Sequence, residues 1–261
     1  MRRREFIAAL GGAAVWPLAT RAQQSGKVWR IGFLTPRSYP APPAHDAFSG
    51  AFIRGMNDLG YTEGKNLVVE WRYADGDYTR LAGFANELVE MRPPVIVTYG
   101  TAAARVLQKT TSTIPIVVAA AVDLVGAGIV AGLAHPGGNI TGLSVIDADI
   151  SAKQLELLKA FSPQVSLVAV LLNPGNSANP LVLKHVTAAA STAGVEVVAV
   201  SASSPQALDT AVADAARHGA GAMIIAADAF FSGQGPQIAA LALKHRLATI
   251  SLIATTLSLA A

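Results

Sequence analysis

The chain has 261 residues, 52% hydrophobic and 14% charged, with no cysteine and a formal net charge of +3. This composition excludes a disordered chain, and the missing thiols exclude disulfides, thiolate metal sites and cysteine nucleophiles together. The positive charge sits at the start: Arg2, Arg3, Arg4 and Arg21 stand against Glu5, so of 20 basic and 17 acidic residues, 16 of each remain beyond residue 22. A neutral remainder offers no electrostatic footprint for nucleic acid.

Residues 1–22 read as an export signal, with a basic start, an apolar middle from Phe6 to Leu18 and the small-x-small ending Thr20-Arg21-Ala22. Cleavage is expected near Ala22, and the mature protein in the periplasm. Arg3-Arg4-Glu5-Phe6-Ile7 fits twin-arginine export, with the general secretory route as the alternative. The apolar part is too short to span a bilayer comfortably.

From Trp29 onward, short β-branched runs alternate with longer alanine-rich amphipathic runs. "VWRIGFLTP" predicts a strand, "DAFSGAFIRGMNDLG" a helix, "NLVVEWRY" a strand and "YTRLAGFANELVEM" a helix. Strand "VIVTYG", helix "TAAARVLQKT", strand "IPIVVAAAV", a short helix after Asp123 and strand "NITGLSVI" follow. The second half repeats the design: helix "DISAKQLELLKAF", strand "VSLVAVLLN", helix "NPLVLKHVTAAASTAG", strand "VEVVAVSA" and helix "SPQALDTAVADAARHG". It closes with strand "AGAMIIAAD", helix "GPQIAALALKHR" and strand "LATISLI". A β-α repeat sustained this far predicts parallel sheets flanked by helices, here in two Rossmann-like α/β lobes, 27–145 and 146–246.

Polar residues recur where strands end: Thr35, Thr101 after Tyr99-Gly100, Asp123, Ser144, Asn173 and Asp228. Each has the ordinary fate of capping a turn or helix. Six at the same end of successive parallel strands also point to one cleft, because crevices in such sheets open there. Helix N-termini and hydroxyls would take a carboxylate, with the amide groups of Thr101, Ala102 and Ala103 foremost. Asp123 or Asp228 would take an ammonium, and Tyr39, Tyr99 and Phe230 would supply an apolar wall.

Other chemistry finds little support. Gly126-Ala127-Gly128 with Ala131 spells G-x-G-x-x-A, and Asp147 follows about 20 residues on, as a dinucleotide fingerprint asks. The match lies in the fourth β-α unit, and "HPGGN" interrupts the segment after barely two turns, so close backbone packing is the preferred reading of the glycines. The five histidines, at 45, 135, 185, 218 and 245, show no ligand spacing. Neither a hydrolase elbow nor a phosphate loop is present. No metal and no cofactor are expected.

Three stretches carry a family resemblance. "GTAAARVLQKTTSTIPIVVAAAVDLVGAGIVAGLAHPGGNITGLS" closely resembles the central signature of ABC-transporter substrate-binding proteins related to tryptophan- and tyrosine-binding proteins. "LLNPGNSANP" and "AADAFFSGQGPQIAALALKHRL" resemble the motifs of the second lobe. The resemblance implies a type I-like periplasmic binding protein that closes on an amino-acid-like, zwitterionic or anionic ligand, and a permease in the inner membrane as partner. It implies no enzyme; an exported nucleotide-dependent oxidoreductase is the alternative. The chain departs from the family at Asp123-Leu124 and Asp228-Ala229, where Asp-Pro is usual, and at Tyr99, where a small or polar residue is common. The resemblance also implies a longer chain, so 247–261 is read as a truncated return segment. The expected contacts are Thr35, Tyr99, Gly100, Thr101, Asp123, Ser144, Asn173 and Asp228.

Overall fold

The computed structural model describes residues 27–39, 47–145 and 147–251; the expected export signal and residues 252–261 of the expected return segment lie outside the described residues. Two compact units divide the chain, 1–31 with 42–69, and 32–41 with 70–261. In the first, helix α1 (Ala47–Asp58) ends where Gly60 takes φ of 85° and its N–H donates to the Asn57 carbonyl at 2.9 Å. The Asn66 side chain closes the following turn, accepting from the Thr62 N–H at 2.7 Å and donating to the Gly60 carbonyl at 2.9 Å.

The second unit holds the parallel sheets apart from residues 29–31 and 67–69, the opening residues of two strands, which belong to the first unit. The first sheet contains β1 (Trp29–Thr35), β2 (Leu67–Tyr73), β3 (Ile96–Tyr99), β4 (Ile116–Val122) and β5 (Ile140–Val145), in the order β2-β1-β3-β4-β5. The pairs β1–β3, β3–β4 and β4–β5 are parallel, which places all their carboxyl ends on one edge. Helices α2 (Leu81–Glu90) and α3 (Thr101–Thr110) cover one face. Leu81, Ala85, Leu88, Ala103, Ala104 and Leu107, spaced at three and four residues, pack on Leu34, Ile96, Ile116, Val118 and Ile140.

The second sheet contains β6 (Leu167–Leu172), β7 (Glu196–Ser201), β8 (Ala222–Ile225) and β9 (Ala248–Ser251), in the order β7-β6-β8-β9, again parallel. Helices α4 (Asp147–Phe161) and α5 (Asn179–Ala193) lie on one face, with Leu155, Leu158, Val182 and Val186 against Val168, Val170 and Ile224. On the other face lie α6 (Pro205–Arg217), the short α7 (Ala229–Gly233) and α8 (Gly235–His245). There Leu208, Val212, Phe231 and Ile238 meet Ala169, Leu171 and Met223.

Two local expectations are corrected. The short helix after Asp123 is a run of turns: Asp123 takes φ of 43° and Gly128 of 67°, and the N–H groups of Ile129 and Val130 both return to the Leu124 carbonyl. The helix expected over 78–91 opens instead as a 3-10 turn, Tyr78–Arg80, because Asp77 caps it by accepting from the Thr79 N–H. Helix α7 had no periodic signal of its own; its five residues follow from the cap at Asp228.

Candidate functional site

At the carboxyl edge of the first sheet, Thr35 is buried at the end of β1, where its Oγ1 accepts from the Arg37 N–H at 3.2 Å. Arg37 lies over the Tyr99 ring, 5.8 Å from its centroid, within cation–π range. Tyr99 ends β3, and Gly100 turns the chain into α3 with φ of 88°, a backbone state that favours glycine. Its N–H donates to the Ala120 carbonyl at 2.8 Å, and a Cβ there would stand 3.7 Å from Pro36.

The Thr101 hydroxyl is committed to the sheet: it donates to the Val122 carbonyl at 2.8 Å and accepts from the Val122 N–H at 3.0 Å. This clamp welds the start of α3 to the end of β4. Among the described residues, the N–H groups of Thr101, Ala102 and Ala103 have no acceptor, the ordinary condition of a helix start. Asp123 curls over its own turn, accepting from the Gly126 N–H at 2.8 Å; a Cβ on Gly126 would meet that carboxylate, so the backbone approach needs glycine. The Ser144 hydroxyl accepts from the Leu124 N–H at 3.0 Å.

The second sheet builds a tighter network around Asp228, which is 3% exposed. Its Oδ1 accepts from the N–H groups of Phe230 at 2.8 Å and Phe231 at 3.4 Å and from Asn173 Nδ2 at 3.2 Å. Its Oδ2 accepts from Asn176 Nδ2 at 2.9 Å and from the Tyr78 hydroxyl at 2.6 Å. Asn173 is oriented in turn by the Gly175 N–H, which its Oδ1 accepts at 3.0 Å. Tyr78 comes from the loop after β2, so this one hydrogen bond joins the carboxyl edges of the two sheets. Gly76 and Gly175 permit the approach: a Cβ on Gly76 would lie 3.2 Å from Phe230, and one on Gly175 would lie 3.2 Å from Tyr78. Burial, followed by the Asp228 charge, raises the Tyr78 phenol above its ordinary value, so it remains a donor.

Thr35 and Tyr99 thus contact Arg37 and Gly100 lies against Pro36, while Thr101, Asp123 and Ser144 line the ends of β4 and β5. Asn173 and Asp228 form the second group. Tyr39, 61% exposed, meets Tyr73 edge to face at 5.1 Å, and Phe230 lies buried against Gly76. Sequence reasoning passed over Arg37, Tyr78 and Asn176. The spacing of Asn176 in "NPGN" was a usable turn signal, but nothing near Tyr78 announces a partner 150 residues away.

Among the described residues, no three His, Asp or Glu side chains converge as a metal site, and no helix is long and apolar enough to cross a membrane. The G-x-G-x-x-A stretch lies in the turns after β4, with no helix directly behind it to receive a pyrophosphate.

A family model described as ABC transporter substrate binding protein matches residues 41–250. A tyrosine-binding protein of Clostridioides difficile is 32% identical over 131 residues, which are 50% of this chain and 37% of that protein's length. Among solved structures, a conserved domain protein of Vibrio cholerae is similar with a TM-score of 0.78 at 26% identity, over 88% of this chain and 75% of that one. An ABC domain from Streptococcus pneumonia in complex with L-Trp is similar with a TM-score of 0.76 at 23% identity, with the same coverage.

Proposed function

Since the chain belongs to the family of ABC transporter substrate-binding proteins, we propose that it is an exported receptor that binds a small carboxylate where the two sheets' carboxyl edges meet. The observation that carries this reading is the junction itself: Tyr78 and Asp228, 2.6 Å apart, bring two sets of parallel-strand ends to one place. Strand ends at such a crevice are where open α/β sheets take ligands. The 32% identity to a tyrosine-binding protein supports an aromatic, amino-acid-like ligand.

In this reading the ligand carboxylate lies at the start of α3, on the N–H groups of Thr101 to Ala103, with Arg37 adding positive charge. The Thr101 hydroxyl, spent on Val122, orients the helix and does not touch the ligand. Tyr99 and Tyr39 supply the apolar wall, while Thr35, Asp123, Ser144, Asn173 and Asp228 shape the rim. Binding favours the arrangement in which the edges are closed, and a permease in the inner membrane recognises that state from the periplasmic side. The chain then carries its ligand without altering it.

A thermal-shift and calorimetric screen of the protein against amino acids, simple carboxylates and NAD(P) tests the proposal. Saturable stabilisation by a carboxylate is expected. Stabilisation by the dinucleotide alone would revive the oxidoreductase reading and overturn this one, as would a complete lack of response.

A further inference from the structure

The loop after β2 is braced against the end of β1. The N–H groups of Ala74, Asp75 and Gly76 donate to the carbonyls of Thr35, Arg37 and Pro36 at 2.9, 3.0 and 2.8 Å. Asp75 accepts from the Tyr39 N–H and from Arg80 Nη1, each at 2.8 Å. Asp77 fixes the next turn by accepting from both the N–H and the hydroxyl of Thr79. Residues 74–80 are thereby tied to 35–39, the segment that carries Thr35, Arg37 and Tyr39.

From this braced loop Tyr78 packs its ring against the core of the first sheet and gives its hydroxyl to Asp228 in the second. Of the five donors around Asp228, the other four come from the second sheet's own connections: Asn173, Asn176 and the N–H groups of Phe230 and Phe231. Those four match the roughly four lone-pair positions of a carboxylate. Removing the Tyr78 hydroxyl therefore leaves each sheet's own bonds intact and takes away a charge-assisted hydrogen bond between their edges.

A ligand-free, open structure of a substrate binding protein from Clostridium difficile is similar to this chain with a TM-score of 0.53 at 24% identity, over 86% of this chain and 74% of that one. The complex with L-Trp scores 0.76 at 23% identity over 88% of this chain. Identity and coverage are nearly equal, so geometry separates the scores, and the arrangement described here lies nearer that of the complex.

We propose that the Tyr78 hydroxyl on Asp228 is the latch that holds the two carboxyl edges together, and that its braced loop ties this latch to segment 35–39. This rests on the receptor reading above and deepens it: one side-chain pair sets the ratio of open to closed chains, and the residues that meet the ligand share a body with one half of that pair. A hydrogen bond to a charged group shifts such a ratio by about tenfold or more.

The test measures the distance between two nitroxide labels by pulsed electron paramagnetic resonance. The chain has no cysteine of its own, so Lys109→Cys on α3 and Lys184→Cys on α5, both exposed, take the labels specifically. In the otherwise native full chain, without added ligand, the distance of the described arrangement should dominate; a broad spread instead would overturn the latch. Tyr78→Phe should raise a second, displaced population relative to the first by about tenfold or more. A distribution unchanged in Tyr78→Phe would overturn the proposal, even if the urea midpoint falls, because a merely structural role lowers stability without moving the labels. If Tyr78→Phe does not fold, Asp228→Asn carries the same test: it exchanges the charged acceptor for an amide, and the same population should grow to a smaller extent. If neither variant folds, the native distribution decides alone. Addition of L-tyrosine to the labelled chains bears on the receptor reading alone, since every distance that tests the latch is read without ligand.

Discussion

The second sheet is filled on both faces, whereas the β4–β5 part of the first is filled on one. In β6 five consecutive residues, Val168 to Leu172, are buried, because alternate side chains feed two separate clusters. In β4 the same alternation sends Ile116 and Val118 into the core but leaves Val117 38% exposed, and on neighbouring β5 Leu143 is 70% exposed. Strands of similar composition therefore carry different amounts of stabilising burial. At its carboxyl edge the first sheet relies on a hydroxyl clamp, Thr101 on Val122, where the second builds a charged network around Asp228.

The largest effect that would break this contrast is a cavity in the two-sided sheet. Leu171→Ala should cost about 4 kcal/mol, read as a fall in urea midpoint at constant slope. Asp228→Ala comes next, at about 3 kcal/mol: it removes the cap of α7 and leaves the buried amide groups of Asn173 and Asn176 short of an acceptor. Asp228→Asn should recover part of this, since one oxygen remains. In the first sheet, Thr101→Val keeps the shape and loses both clamp hydrogen bonds, for about 1–2 kcal/mol by the same melts.

A pH series sharpens the comparison at the junction. The Tyr78 phenol is held above its ordinary value of 10.0 by burial first and by the Asp228 charge second. With its folded pKa raised, its contribution is complete below about pH 10 and is lost as the pH rises beyond that, because only the unfolded chain then gives up the proton. Urea melts between about pH 9 and 11 should show this decline, and Tyr78→Phe should flatten it. The smallest effect belongs to Leu143→Ala, expected within about 0.5 kcal/mol on the bare face. A large loss there would mean that the first sheet is covered on both sides after all.

The elements were legible wherever side chains report burial periodically. Helix α3 was legible in "TAAARVLQKT" because Ala103, Ala104 and Leu107 share one buried face, and Gly100 marked its start. Where conformation depends on hydrogen bonds that return to earlier residues, the pattern misled: "LVGAGIVAG" has helical composition, yet Ile129 and Val130 both bond back to Leu124. At the candidate site, Thr101, Asn173 and Asp228 were legible as polar residues at strand ends. Their partners were not, because Val122, Asn176 and Tyr78 meet them through the packing of elements distant in the chain.

The sequence alone therefore determined an α/β chain of alternating strands and helices, the parallel direction of its sheets and the edge at which polar residues collect. Periodicity and the geometry of β-α connections are local properties, and they leave little other choice. Only the tertiary structure decided which sheet is covered on both faces and which acceptors are spent. It also decided that Tyr78 reaches Asp228 across 150 residues. These outcomes depend on how whole elements pack, and no residue carries that information in its immediate neighbours.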